Sequence, residues 1–88
     1  MAWKIEFDKK AKKDFKSLDR SIQVKIDKFI RKLAKSDNPR ALGDALKGAL
    51  NCYWRYRVGD YRLICSIEDE VLTVLVVRVR HRKEVYNK

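Results

Sequence analysis

The run Val71-Leu72-Thr73-Val74-Leu75-Val76-Val77-Arg78-Val79-Arg80 constrains this chain more than any other stretch. Branched side chains at Cβ favour a pleated strand. From Val71 to Val77 both parities are apolar except at Thr73. A strand of that kind belongs inside a sheet, because an edge strand with one wet face would alternate apolar and polar residues. The rest of the chain must therefore supply its strand neighbours and its cover.

Both are present. Trp3, Ile5 and Phe7 alternate with Lys4 and Glu6, which predicts a short half-buried strand. Asp8 is a suitable N-cap for a helix over Lys9 to Leu18, with Ala11, Phe15 and Leu18 on one stripe. Lys9, Lys10, Lys12, Lys13 and Lys16 cover the remainder and read as a solvated face rather than a phosphate track. A second helix starts at Asp19 or Ser21 and runs to about Ser36, with Ile22, Ile26, Phe29, Ile30 and Leu33 at helical spacing. The link between the two is so short that they form an antiparallel hairpin, free to cover a sheet. Pro39 ends the second helix, and the chain from there to Gly48 reads as loop with one helical turn around Arg40 to Leu46. Strands follow from about Cys52 to Arg57 and from about Tyr61 to Ile67, joined by a loop with Gly59 and Asp60. Glu68 to Glu70 is an acidic turn into the last strand, and the tail after Arg80 is too short for a stable helix of its own. The predicted fold is α+β in the order β-α-α-β-β-β, one domain over residues 1–88. An N-terminal helical hairpin packs on one face of a largely antiparallel four-stranded sheet.

Composition limits the partners. The 88 residues carry 22 Lys and Arg against 12 Asp and Glu, a net charge of +10. A field of that size on a small body favours nucleic acid, an anionic membrane or an acidic protein. No apolar run reaches transmembrane length and the N-terminus has no secretory h-region, so a cytoplasmic protein without a membrane anchor is expected. One histidine and two separated cysteines, Cys52 and Cys65, do not make a zinc site. The cysteines are read as reduced thiols, with a disulfide open if their strands pair in register. No cofactor is implied: there is no GxxxxGK loop, no nucleophile triad and no carboxylate or histidine cluster for a metal.

Arg, Lys, Tyr and one His remain, concentrated in Tyr53-Trp54-Arg55-Tyr56-Arg57-Val58-Gly59-Asp60-Tyr61-Arg62 and in the C-terminal segment. With both helices on one face, the other face carries arginines on rigid strands. Either it is a basic edge that discourages aggregation, or it holds an anion, with planar forks for phosphate and rings for bases. These residue types suffice to cleave RNA by its own 2′-hydroxyl. The substrate supplies the nucleophile, and the protein aligns it, neutralises charge on phosphorus and moves two protons. Arginines supply the charge stabilisation, and a Tyr, Lys or His whose pKa is lowered by surrounding cations serves as base or acid. The plainer roles are a wet-tipped ring at a sheet edge for Tyr86 and an ordinary strand-end polar residue for His81.

Leu46-Lys47-Gly48, then the Tyr53–Arg62 stretch, then Arg80-His81-Arg82-Lys83-Glu84-Val85-Tyr86 resemble the RelE/ParE superfamily of bacterial and archaeal toxins, the RelE branch above all. The element order matches over essentially the whole chain. The resemblance implies the toxin of a type II toxin–antitoxin system: an endoribonuclease that cuts mRNA in the ribosomal A site and inhibits translation. Its implied partners are a RelB-like antitoxin, the ribosome with its rRNA, and mRNA. It puts Arg62 at the family's phosphate-stabilising arginine, Arg80 at the arginine ending the last strand, and Tyr86 at the C-terminal tyrosine. Arg55 and Arg57 fall where some members carry lysines, so their separate roles stay open. Arg82, His81 and Lys47 are further candidates for substrate contact. Many relatives continue past the tyrosine into a C-terminal helix whose position responds to the antitoxin, so that switch is expected to be absent or abbreviated here. Two alternatives share the resemblance: a ParE-like DNA gyrase inhibitor that cuts no RNA, and a non-catalytic basic RNA-binding relative.

Overall fold

Asp8 both ends the first strand and starts the first helix. Its backbone N–H donates to Val76 O and its carboxylate accepts from Lys9 N at 2.7 Å, satisfying one of the donors a helix start leaves open. The computed structural model describes residues 2–46 and 52–83. Strand β1 (Lys4–Phe7) leads into α1 (Lys9–Lys16) and α2 (Arg20–Lys35). A 3-10 turn at Pro39–Leu42 precedes β2 (Asp44–Ala45), β3 (Trp54–Val58) and β4 (Tyr61–Glu68). A second 3-10 turn, Asp69–Val71, leads to β5 (Thr73–His81).

The sheet has the order β1-β5-β4-β3-β2. As expected of its apolar run, β5 is internal, with β1 parallel on one side and β4 antiparallel on the other. The expected count of four strands is corrected to five. The added strand, β2, has only two residues and pairs Asp44 with Arg55 and Ala45 with Trp54; two residues carry no periodicity to read. The long strand also begins later than its sequence suggests. Leu72 turns through a left-handed conformation (φ 46°, ψ 50°) after the 3-10 turn, which leaves Val71 63% exposed outside the ladder.

Helix α1 lies against β5, and α2 against β1 and β3. Ala11, Ile26 and Leu33 from the helices meet Tyr56, Leu63, Cys65, Val74 and Val76 from the sheet, all fully buried. Phe29 packs its ring 5.5 Å from that of Tyr56, whose hydroxyl donates to Pro39 O at 2.8 Å. Phe7 and Phe15 meet edge to face at 5.7 Å. Both cysteines are free, Cys65 buried in this core and Cys52 exposed.

Candidate functional site

Alternation along β3 turns Trp54, Tyr56 and Val58 toward the helices and Arg55 and Arg57 to the far face. Residues directly opposite in an antiparallel ladder share a face. Arg57 is opposite Arg62, and Arg62 is opposite Arg80, so three arginines form one row across β3, β4 and β5. The next row is Arg55, Ile64 and Arg78. A β-bulge protects this arrangement. Ile64 pairs with Arg78 and Cys65 with Val76, leaving Val77 unmatched. The extra residue lets Val74, Val76 and Val79 all face the core while Arg78 and Arg80 face away.

The hairpin between β3 and β4 fixes where the row ends. Gly59 has φ +59°, as the first central position of a two-residue turn requires. Arg62 is buried, 7% exposed, and its Nη1 donates to Gly59 O at 3.0 Å and to Tyr61 O at 2.9 Å. Its Nε is buried without a hydrogen-bond partner among the described residues. Strand β2 supplies a counter-charge: Asp44 lies 3.5 Å from Arg55 and 3.8 Å from Arg57. Beyond the strand end, Arg82 N donates to Asp60 O at 2.7 Å, and its Nε lies 3.7 Å from the Asp60 carboxylate.

Not every candidate joins the row. His81 is opposite Tyr61 on the other parity, and the two rings meet edge to face at 5.3 Å. Its Nδ1 accepts from Lys83 N. Strand alternation thus turns His81 to the face opposite the arginine row. Lys47 and Tyr86 lie outside the described residues. Tyr56, central in the hairpin sequence, is a core residue whose phenol pKa is pushed up by burial, so it is no base. Asp44 and Asp14 carry charge into the region and were not singled out by sequence. Asp14 meets β5 across 64 positions of chain, and no local pattern reports such a contact.

Three guanidiniums in directly opposed positions repel one another. A phosphate set among them relieves that repulsion and accepts bidentate hydrogen bonds in the geometry an arginine fork offers. The fold and this row define a class: a small, strongly basic α+β protein that buries one sheet face under two helices and lines the other with arginine. The sequence matches the family described as ParE toxin of type II toxin-antitoxin system, parDE, over residues 5–86. It is 32% identical over 91 residues to the mRNA interferase toxin RelE of Escherichia coli (strain K12), covering 100% of this chain and 94% of that one. Against Toxin RelG of Mycobacterium tuberculosis it is 31% identical over 88 residues, covering 100% of both. The toxin–antitoxin complex RelBE2 from Mycobacterium tuberculosis contains a chain that superposes with TM-score 0.85 at 30% identity, over 93% of this chain and 100% of that one. The chain belongs to the RelE/ParE superfamily of toxins from type II toxin–antitoxin systems.

Proposed function

We propose that this toxin is a ribosome-dependent mRNA interferase that cleaves message in the A site by attack of the substrate 2′-hydroxyl. The observation that carries the reading is the Arg57–Arg62–Arg80 row on the sheet face away from the helices. The 2′-oxygen forms a bond to phosphorus while the bond to the 5′-oxygen breaks, leaving a cyclic phosphate. One proton leaves the 2′-hydroxyl and another reaches the departing oxygen. Negative charge grows on the non-bridging oxygens, where Arg62 and Arg80 stabilise it with hydrogen bonds stronger in the transition state than in the ground state. Arg57 and Arg55 complete the field, while Arg82 and Lys47 are further candidates for substrate contact. Arginine stays protonated and cannot be the base, and His81 faces the other way. Tyr86, which the family resemblance puts at the C-terminal tyrosine, is the base in this reading, since a neighbouring positive charge favours a phenolate. The E. coli relative's name, mRNA interferase toxin RelE, supports the reaction type.

A RelB-like antitoxin is the proposed partner, supported by the RelBE2 complex among the structural neighbours. An acidic segment laid over a body of charge +10 cancels its field. Co-purification with the product of the adjacent reading frame tests this, and a toxin recovered alone removes the partner.

Primer extension on ribosome-bound message is the direct test. Wild-type protein is expected to cut within the A-site codon, and Arg62→Ala and Arg80→Ala are each expected to slow cleavage at least about 100-fold while staying folded. Growth arrest by the Arg62→Ala toxin at matched expression would sink the site assignment. One observation favours a second reading: the matching family model is that of ParE. Intact message together with inhibited DNA supercoiling would establish the gyrase-inhibitor alternative.

A further inference from the structure

We propose that Asp14, on α1, is a positioning residue: it anchors the C-terminal end of β5 and so holds Arg80 in its place opposite Arg62. The proposal rests on the ribonuclease reading of that row. Strand β1 accompanies β5 only as far as Phe7 opposite Val76. Among the described residues, no strand pairs with β5 on that side beyond this point, yet it carries Arg78, Val79 and Arg80 there. Helix α1 takes over where β1 stops. One Asp14 oxygen, Oδ2, accepts from Val79 N at 3.0 Å and from Arg78 Nε at 2.9 Å, while Oδ1 accepts from Arg78 Nη2 at 3.2 Å. The carboxylate thus replaces the missing ladder bond at Val79 and grips the side chain before it.

These bonds fall between the Val77 bulge and Arg80. A bulge is where a strand bends most readily, and here it lies one residue before Arg78 and three before Arg80. Without an anchor, the segment beyond it would depend on β4 alone for its position. The anchor also draws the Arg78 side chain to the edge of the sheet and toward α1, away from the row two residues on. Lys10 and Lys13 of α1 and Arg78 line the same groove, with Ser17 at the C-cap, so among the described residues Asp14 is the one carboxylate beside three cations there. The charge of Arg80 itself acts on its carboxyl. Misplacing a catalytic group by about 1 Å can cost roughly 100-fold in rate.

The test compares single-turnover cleavage of ribosome-bound message by wild type, Asp14→Asn and Asp14→Ala, each corrected for folded fraction, in native and Arg80→Lys backgrounds. Asp14→Ala is expected to lower the rate about 10- to 100-fold with the half-saturating toxin concentration within about twofold of wild type. Asp14→Asn keeps an acceptor for Val79 N–H and is expected to lie between. If Asp14 acts through Arg80, its removal costs little more once Arg80 is already Lys. Equal losses in both backgrounds, or a change in half-saturation alone, overturn the proposal. Amide exchange at Val79 and Arg80 is measured in the same variants, with faster exchange in Asp14→Ala expected. A wild-type protein that leaves message intact rejects the ribonuclease reading. The Asp14 anchor is then judged by exchange alone, and unchanged exchange in Asp14→Ala rejects it independently.

Discussion

Two glycines show how differently one residue type can be constrained. At Gly59 the backbone is left-handed and an added Cβ meets nothing within 4 Å, so alanine there costs only conformational strain, about 1–2 kcal/mol. Gly43 has an ordinary extended backbone (φ −136°). An added Cβ would nevertheless lie 2.7 Å from Tyr56 Cε1 and 2.9 Å from Arg55 O. Neither neighbour can yield, because Tyr56 is fully buried with its hydroxyl bonded to Pro39 O. Gly43→Ala is therefore expected to destabilise the fold by about 1–3 kcal/mol in urea titration. It also displaces Asp44 from Arg55 and Arg57. A native denaturation midpoint in that variant would show that β2 can move aside. Gly59 was legible as a turn because its neighbours in sequence define it. Gly43 was not, since what crowds it comes from residues more than ten positions away. The same distinction separates Arg62, whose site was suggested by its hairpin, from Asp14, whose partners only folding brings near.

The helices could be read from sequence because a period of 3.6 repeats often enough to be counted, and β5 because a long β-branched run apolar on both parities marks an internal strand. The two-residue strand β2 and the left-handed Leu72 could not, since each is imposed by what it packs against. Helix α1 provides an element-scale prediction through its one partly buried carboxylate. Burial pushes the Asp14 carboxyl up, but the Arg78 hydrogen bond, the Val79 N–H and the charges of Arg78 and Arg80 outweigh it and hold the pKa below its ordinary 3.8. A folded-state pKa below the unfolded one means the unfolded chain binds the proton more readily. The stabilisation is thus complete above 3.8 and is lost as pH falls through the lower folded value. Wild type is expected to exceed Asp14→Asn in stability at neutral pH, with the gap closing on acidification below the carboxylate range. Urea titrations at several pH values check this, and a gap that persists in acid contradicts the ion pair. Asp69 shifts in the same direction through its hydrogen bond with Arg40, but it is exposed and solvent mutes its effect.

The molecule as a whole carries +10, and only part of that charge is in the arginine row. Lys9, Lys10, Lys12, Lys13 and Lys16 all lie on α1, on the other side of the sheet from the proposed chemistry. The two sets are expected to separate experimentally. Ribosome binding should weaken linearly in the logarithm of salt concentration, and each lysine that contacts a phosphate should contribute about 0.7–0.9 to that slope. Replacing such lysines with glutamine lowers the slope while leaving the cleavage rate of bound complexes intact; Arg62→Ala does the reverse. A slope unmoved by several lysine substitutions would place the binding charge elsewhere. Fold class was legible at this scale, since one internal strand and two amphipathic helices leave few arrangements.

The parallel pairing of β1 with β5 has a consequence for synthesis. Lys4 has no strand partner until Thr73 exists, and the Ala11–Val76 core cannot close without the final strand. That strand also carries Arg80. A nascent chain still inside the exit tunnel therefore holds neither a completed sheet nor a completed arginine row. Because so long a loop must close first, folding is expected to be slower than for a chain of local contacts. On the proposed ribonuclease reading, no arginine row exists to act on message until the last strand has paired with β1 and β4.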